Sequence, residues 1–212
     1  MLYTLEEQLI KLNKFVSTNP NRARSYIQRG MVKFKLARID DSIADFDRAE
    51  KLDSSLTPYL WQRGLSYYYA QRFEEGAKQF EIDLTVNTRD AEETIWRYLC
   101  IARSRGVKAA KTSLFPVSND PRRVMRQVYE LFAGNDTLEN VLKVGDRENQ
   151  RSRFYSHLYA GLYCEATGES ARPRPIRASR AKFYLLAAVE KYPIDDYMWD
   201  LGRVHCQLRG WT

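Results

Sequence analysis

Apolar positions fall at helical spacing almost from the start of the chain. Leu5, Leu9, Leu12 and Val16 form one stripe, and Thr4-x-x-Glu7 ahead of it has the form of a capping box, so a helix is expected there. The stripe is too short to be stable alone, which predicts docking on the next helix pair or on a second copy of the chain. Asn19-Pro20 ends it. Beyond it, Tyr26, Gly30, Phe34, Ala37, Ile39, Phe46 and Ala49 are echoed by Leu60, Gly64, Tyr68, Phe73, Ala77 and Phe80. Gly30 to Gly64 and Phe46 to Phe80 are each 34 residues apart, and a fixed period of that size marks stacked helix pairs. Close approach explains the choice of residues. A small residue in the first helix admits the second, and the aromatic of the second fills the remaining space. Pairs are predicted over residues 23–53 and 58–87, with turns near Ala37 to Asp40 and at Gln71-Arg72.

From Ala91 the pattern loosens. One helix is expected over residues 91–103, with Ile95, Trp96, Leu99 and Ala102 inward and Gly106 just past its end. Residues 107–114 read as a short basic segment. Asp120-Pro121 reads as a cap and a first-position proline for a helix through Phe132, and Asn135-Asp136 as the cap of another through Val144. The glycine pattern returns with Gly161, between Leu158 and Tyr163, with Gly168 at the turn. Ala181, Leu185, Ala188 and Pro193 follow at matching positions. An insertion over residues 170–177 contains Arg172-Pro173-Arg174-Pro175 and is expected to be an exposed loop. A last helix, residues 197–208 with Leu201-Gly202, would cap the stack.

Three phrases carry a family resemblance: Tyr26 with Gly30, Ser42-x3-Phe46-x2-Ala49, and Arg63-Gly64 with Tyr67. They resemble the tetratricopeptide repeat. The resemblance implies an all-α superhelix of helical hairpins, with a degenerate middle and a C-terminal capping helix. It implies one domain over residues 1–212: an N-terminal helix (1–18), two regular repeats (19–89), degenerate helices (90–148), and a late repeat with its insertion and cap (149–212). Such proteins mostly bind other proteins, and the first helix of each pair lines the concave side. Counting from the glycines, that partner-binding groove would hold Ile27, Met31 and Phe34, then Trp61, Leu65, Tyr68 and Tyr69. Members that grip chaperone tails place Lys and Asn there to hold a carboxylate. Here the positions are apolar, which suits a helix or an extended apolar peptide. The order of good repeats, Trp96-x-Tyr98-Leu99, basic middle and Phe154-Tyr155 resembles a bacterial envelope lipoprotein family of tetratricopeptide adaptors, whose members dimerise and hold a protease to its substrate. The late Tyr197-Met198-Trp199-Asp200 is closer to related proteins of plastid-bearing organisms. The lipid-bearing cysteine of the bacterial members has no counterpart in these residues.

Composition narrows the classes. With 44% hydrophobic and 13% aromatic residues the chain is built to fold rather than to stay disordered. No apolar run approaches the ~18 residues of a membrane span, and Glu6, Glu7 and Lys11 interrupt any signal-like core. Cys100, Cys164 and Cys206 form no CxxC pair and read as buried thiols in a reducing compartment. The net charge is +7, and nearly all the excess lies beyond Asp90. Arg122, Arg123 and Arg126, with Arg172, Arg174 and Arg177, make a basic surface suited to an acidic partner. That surface supports a rival reading, an RNA-binding helical repeat. No base-reading pair recurs from hairpin to hairpin, which favours a scaffold or assembly adaptor for protein partners. His157 and His205 fall at packing positions, and no phosphate loop, HExxH or GxSxG is present. No enzyme, metal or cofactor is expected.

Overall fold

In the computed structural model the described residues are 4–88, 90–117, 120–168 and 174–211, with backbone only for 174–179. Among them the chain forms α-helices and one 3-10 helix, without strands, as successive helical hairpins. The helices are α1 (Leu5–Thr18), α2 (Ala23–Lys35), α3 (Ile39–Leu52), α4 (Trp61–Tyr69), α5 (Phe73–Asp83) and α6 (Ala91–Arg105). They continue as α7 (Val107–Thr112), α8 (Arg123–Ala133), α9 (Leu138–Arg147), α10 (Gln150–Thr167), α11 (Arg174–Lys191) and α12 (Tyr197–Leu208). The chain divides into two compact units, residues 1–87 and 88–212.

In the first unit α1 opens on a complete capping box: Thr4 N donates to Glu7 Oε2 at 2.8 Å and Glu7 N donates to Thr4 Oγ1 at 3.2 Å. Its stripe docks on α2 of the same chain, where Val16 joins Tyr26 and Ala49 in one cluster with Ala23, Ile27 and Leu52. The α2–α3 and α4–α5 hairpins then repeat one construction. A Cβ on Gly30 would lie 3.3 Å from Phe46 Cζ, and one on Gly64 only 2.7 Å from Phe80 Cζ. Both turns place a non-glycine residue in the left-handed region, Ala37 at φ 58° and Gln71 at φ 61°. Arg38 N to Lys33 O and Ala37 N to Phe34 O close the first turn, and Arg72 N to Tyr67 O and Gln71 N to Tyr68 O the second. Each is a Schellman closure. Even the polar contacts keep register. Arg29 Nε donates to Asp45 Oδ2 at 2.8 Å, and 34 positions on Arg63 Nε donates to Gln79 Oε1 at 2.8 Å. Ser42 Oγ bonds Gly30 O at 2.8 Å and lies 3.0 Å from Ser66 Oγ, which joins one hairpin to the next.

The connection between the hairpins is itself ordered. Asp53 caps a 3-10 helix, Ser54–Tyr59, by accepting from Ser55 N at 3.1 Å. Arg63, 6% exposed at its side chain, takes its ionic partners from the preceding hairpin. Nη1 lies 3.1 Å from Asp47 Oδ1 and 2.7 Å from Glu50 Oε2, both in α3.

In the second unit α10 is the centre, packed by α6, α8, α9 and α11. Gly161 of α10 lies under Leu185 and Ala181 of α11, and Gly145 of α9 lies against Ser152 and Ser156 of α10. The helix α12 packs on α11, with Gly202 against Val189. The basic segment 107–114 contains the short helix α7, Val107–Thr112. Two expectations change here. Arg122 rather than Asp120 precedes the first residue of α8, because the Asp120 side chain is turned to Arg122 N and Ala91 N instead. The expected insertion loop is in part helix: α11 already begins at Arg174, so Pro175 and Arg177 are helical, while residues 170–173 lie outside the described residues. First-turn N–H groups have no intrahelical acceptor, so proline costs no hydrogen bond there.

Candidate functional site

The residues assigned by counting to a binding groove separate into two groups. Ile27 and Met31 of α2, and Trp61 and Tyr69 of α4, are half-buried. Phe34, Leu65 and Tyr68 are sealed at 0%, 0% and 2% exposure, which corrects their place in an open lining. Phe34 and Tyr68 are covered by an aromatic ladder. The Phe34 ring meets Tyr69 at 5.6 Å, Tyr69 meets Tyr68 at 5.4 Å, and Tyr68 meets Phe73 at 5.5 Å, all edge to face. These rings hold one hairpin to the next.

Beside Ile27 an open pocket of about 580 Å³ is lined by Arg24, Ile27, Gln28, Ser55, Leu56 and Tyr59. Tyr59 is 61% exposed. Repeat counting missed its far wall, because Leu56 and Tyr59 belong to the 3-10 connection and not to a helix of the motif. The available signal was an apolar and an aromatic residue within a connection of small polar residues and proline.

Of the six basic residues, the three with described side chains differ in setting. Arg123 and Arg126 are exposed on α8. Arg122 is engaged by three carboxylates: Asp120 at 2.8 Å, Asp90 at 3.2 Å and Glu92 at 2.5 Å. Arg172 lies outside the described residues, and the side chains of Arg174 and Arg177 do as well. The Arg122 partners belong to a buried chain of polar contacts. Tyr159 OH donates to Glu92 Oε1 at 2.8 Å, and Trp96 Nε1 donates to Tyr159 OH at 3.1 Å. Burial pushes the Glu92 carboxyl up to about 7, against the pull of Arg122. The arrangement clips α6, the turn before α8, and α10 together.

His205 is fully buried, 3.5 Å from Glu165 Oε2, and burial lowers its pKa to about 4. His157 packs against the rings of Tyr192 and Tyr184, and its Nδ1 lies 2.9 Å from Arg153 O. Cys100, Cys164 and Cys206 are buried free thiols. Among the described residues no group of three or more His, Cys, Asp or Glu side chains is placed to hold a metal ion. No helix there is long and apolar enough to cross a membrane.

No family model matches the chain. Over 98 residues, 46% of its length, it is 24% identical to the Protein SGT1 homolog of Bos taurus. That stretch is 29% of the bovine protein, so the match spans less than a third of that relative's length.

Proposed function

We propose that the chain is a non-catalytic protein-interaction scaffold of the tetratricopeptide type, which engages its partner with the apolar side of α2, the 3-10 connection and α4. The observation that carries this reading is the surface itself: Ile27, Met31, Trp61 and Tyr69 are half-buried beside an exposed Tyr59. Partly covered aromatic and aliphatic groups on a rigid support are what protein interfaces use as anchors. The partial likeness to the Protein SGT1 homolog is compatible with it. Support for a non-catalytic role comes from the titratable groups. His205 and Glu92 are held in packed contacts with Glu165, Arg122 and Tyr159, and His157 is set between tyrosine rings.

The test is capture of partners from native extract after nuclease treatment, with the intact chain and with a Met31→Ala/Trp61→Ala variant. The scaffold reading expects protein partners that the variant loses while its circular dichroism stays unchanged. Capture that needs RNA, and that fails in Arg123→Glu/Arg126→Glu, replaces it with the nucleic-acid reading.

A further inference from the structure

We infer that the pocket at the start of α2 is a seat for an acidic peptide segment carrying a bulky apolar side chain; this inference rests on the scaffold reading and names the partner class. The pocket's volume of about 580 Å³ lies in the ordinary range for ligand sites and has room for more than one side chain. Ile27 and Leu56 supply an aliphatic wall, and Tyr59 stands 61% exposed beside it. Gln28 and Ser55 are on the rim, where a bound backbone needs hydrogen-bonding groups.

The charge is one-sided. No carboxylate lines the pocket, and the adjacent Asp53 is occupied by the N–H and hydroxyl of Ser55, at 3.1 and 2.6 Å. Arg24 is exposed, and no ion pair holds it among the described residues, whereas Arg29, Arg38, Arg63 and Arg72 are each paired with a carboxylate. Arg24 stands in a first helical turn that has no acidic residue, and the preceding Arg22 supplies no side-chain cap. Both guanidinium groups therefore add to the positive end of the helix instead of neutralising it. A carboxylate next to the apolar seat completes the site. Nucleic acid fits it less well. Phosphate binding draws on many cations at once, and this seat is half aliphatic.

A randomised peptide display library selected on the intact chain tests this. Enriched peptides should place Asp or Glu next to Phe, Trp or Leu. By fluorescence anisotropy Arg24→Glu and Tyr59→Ala should each weaken them about tenfold, and salt should weaken them too. Arg24 and Tyr59 are exposed, so both variants should keep the wild-type melting curve. Failure to enrich any peptide, enrichment of peptides without acids, or equal binding by Arg24→Glu overturns the inference. So does displacement of the peptide by a single-stranded RNA oligonucleotide, or a dimer that Tyr59→Ala dissolves. Peptides that bind through Trp61 but ignore Arg24 overturn this seat and leave the scaffold standing. Absence of any protein partner in the capture experiment removes both.

Discussion

Gly64 of α4 faces the edge of the Phe80 ring so closely that a Cβ would stand 2.7 Å from Cζ and 2.9 Å from Cε2. No real Cβ sits that close, so Gly64→Ala must move a fully buried ring. Overpacking of this kind costs about 1–3 kcal/mol, and the gain in helix propensity returns about 1 kcal/mol. Gly30 is less tight, with its nearest atom at 3.2 Å. Urea unfolding should therefore rank Gly64→Ala below Gly30→Ala in stability. The reverse order would contradict the packing described.

The two hairpin turns hold Ala37 and Gln71 in a region where a side chain costs about 1–2 kcal/mol. Glycine removes that cost but loosens the unfolded chain by up to about 1 kcal/mol. Ala37→Gly and Gln71→Gly should each leave the protein equal in stability or up to about 1 kcal/mol more stable. Glycine is tolerated at few helical positions, so thermal unfolding of either variant is a sharp check on the turn geometry.

Acid should act on two buried groups in opposite senses. Glu92 is raised to about 7, so the fold favours its neutral form. Its contribution is complete below the unfolded value near ~4.3 and is lost as pH rises through 7. His205 is lowered to about 4 by burial, so its contribution is present above ~6.5 and is lost as pH falls through 4. Glu92→Gln removes the first effect alone. Its stability should fall more steeply than wild type between pH 7 and 4.5, as measured by denaturant midpoints across that range. A parallel pair of curves would show that Glu92 does not titrate there.

Removing one member of the Arg122 cluster should expose the others. Arg122→Ala leaves Asp120, 1% exposed, and Glu92 without their cation. Broken buried pairs cost about 3–5 kcal/mol, and the partial exposure of Arg122 brings the expectation to about 2–3 kcal/mol. The neighbouring Arg123→Ala should change stability by less than about 0.5 kcal/mol. Equal effects would mean that the cluster is only a surface contact.

The hairpins were legible because their chemistry is local and periodic. Gly30 with Phe46 and Gly64 with Phe80 stand at fixed spacing, and a clash between small and large is the same wherever it occurs. The docking of α1 was legible as one of two outcomes, since spacing shows that a stripe needs cover but not whose. Which side of a first helix meets the next hairpin was less legible. Phe34, Leu65 and Tyr68 were counted onto an open surface, yet ring contacts from Tyr69 and Phe73 that cross between elements bury two of them. Arg122 looked like solvent-facing charge because Asp90 and Glu92 lie 32 and 30 residues away, with no spacing rule to connect them. The prolines at 173 and 175 suggested loop, and only the helix boundary at Arg174 shows that Pro175 sits where a missing N–H does no harm.

The ion pairs of Arg63 give the first unit a direction. Its guanidinium is buried where the two hairpins meet: Gln79 of the second accepts from Nε, but Asp47 and Glu50, which balance its charge, come from the first. A fragment beginning after Asp53 would lack both carboxylates that balance this cation and the hairpin that covers it. The first hairpin has no such debt, since Arg29 and Lys33 find Asp45 within it. On the ribosome the first hairpin emerges earlier, so both carboxylates are synthesised before the cation they balance. A circular permutant that reverses this order of synthesis would have to hold Arg63 open until its partners arrive.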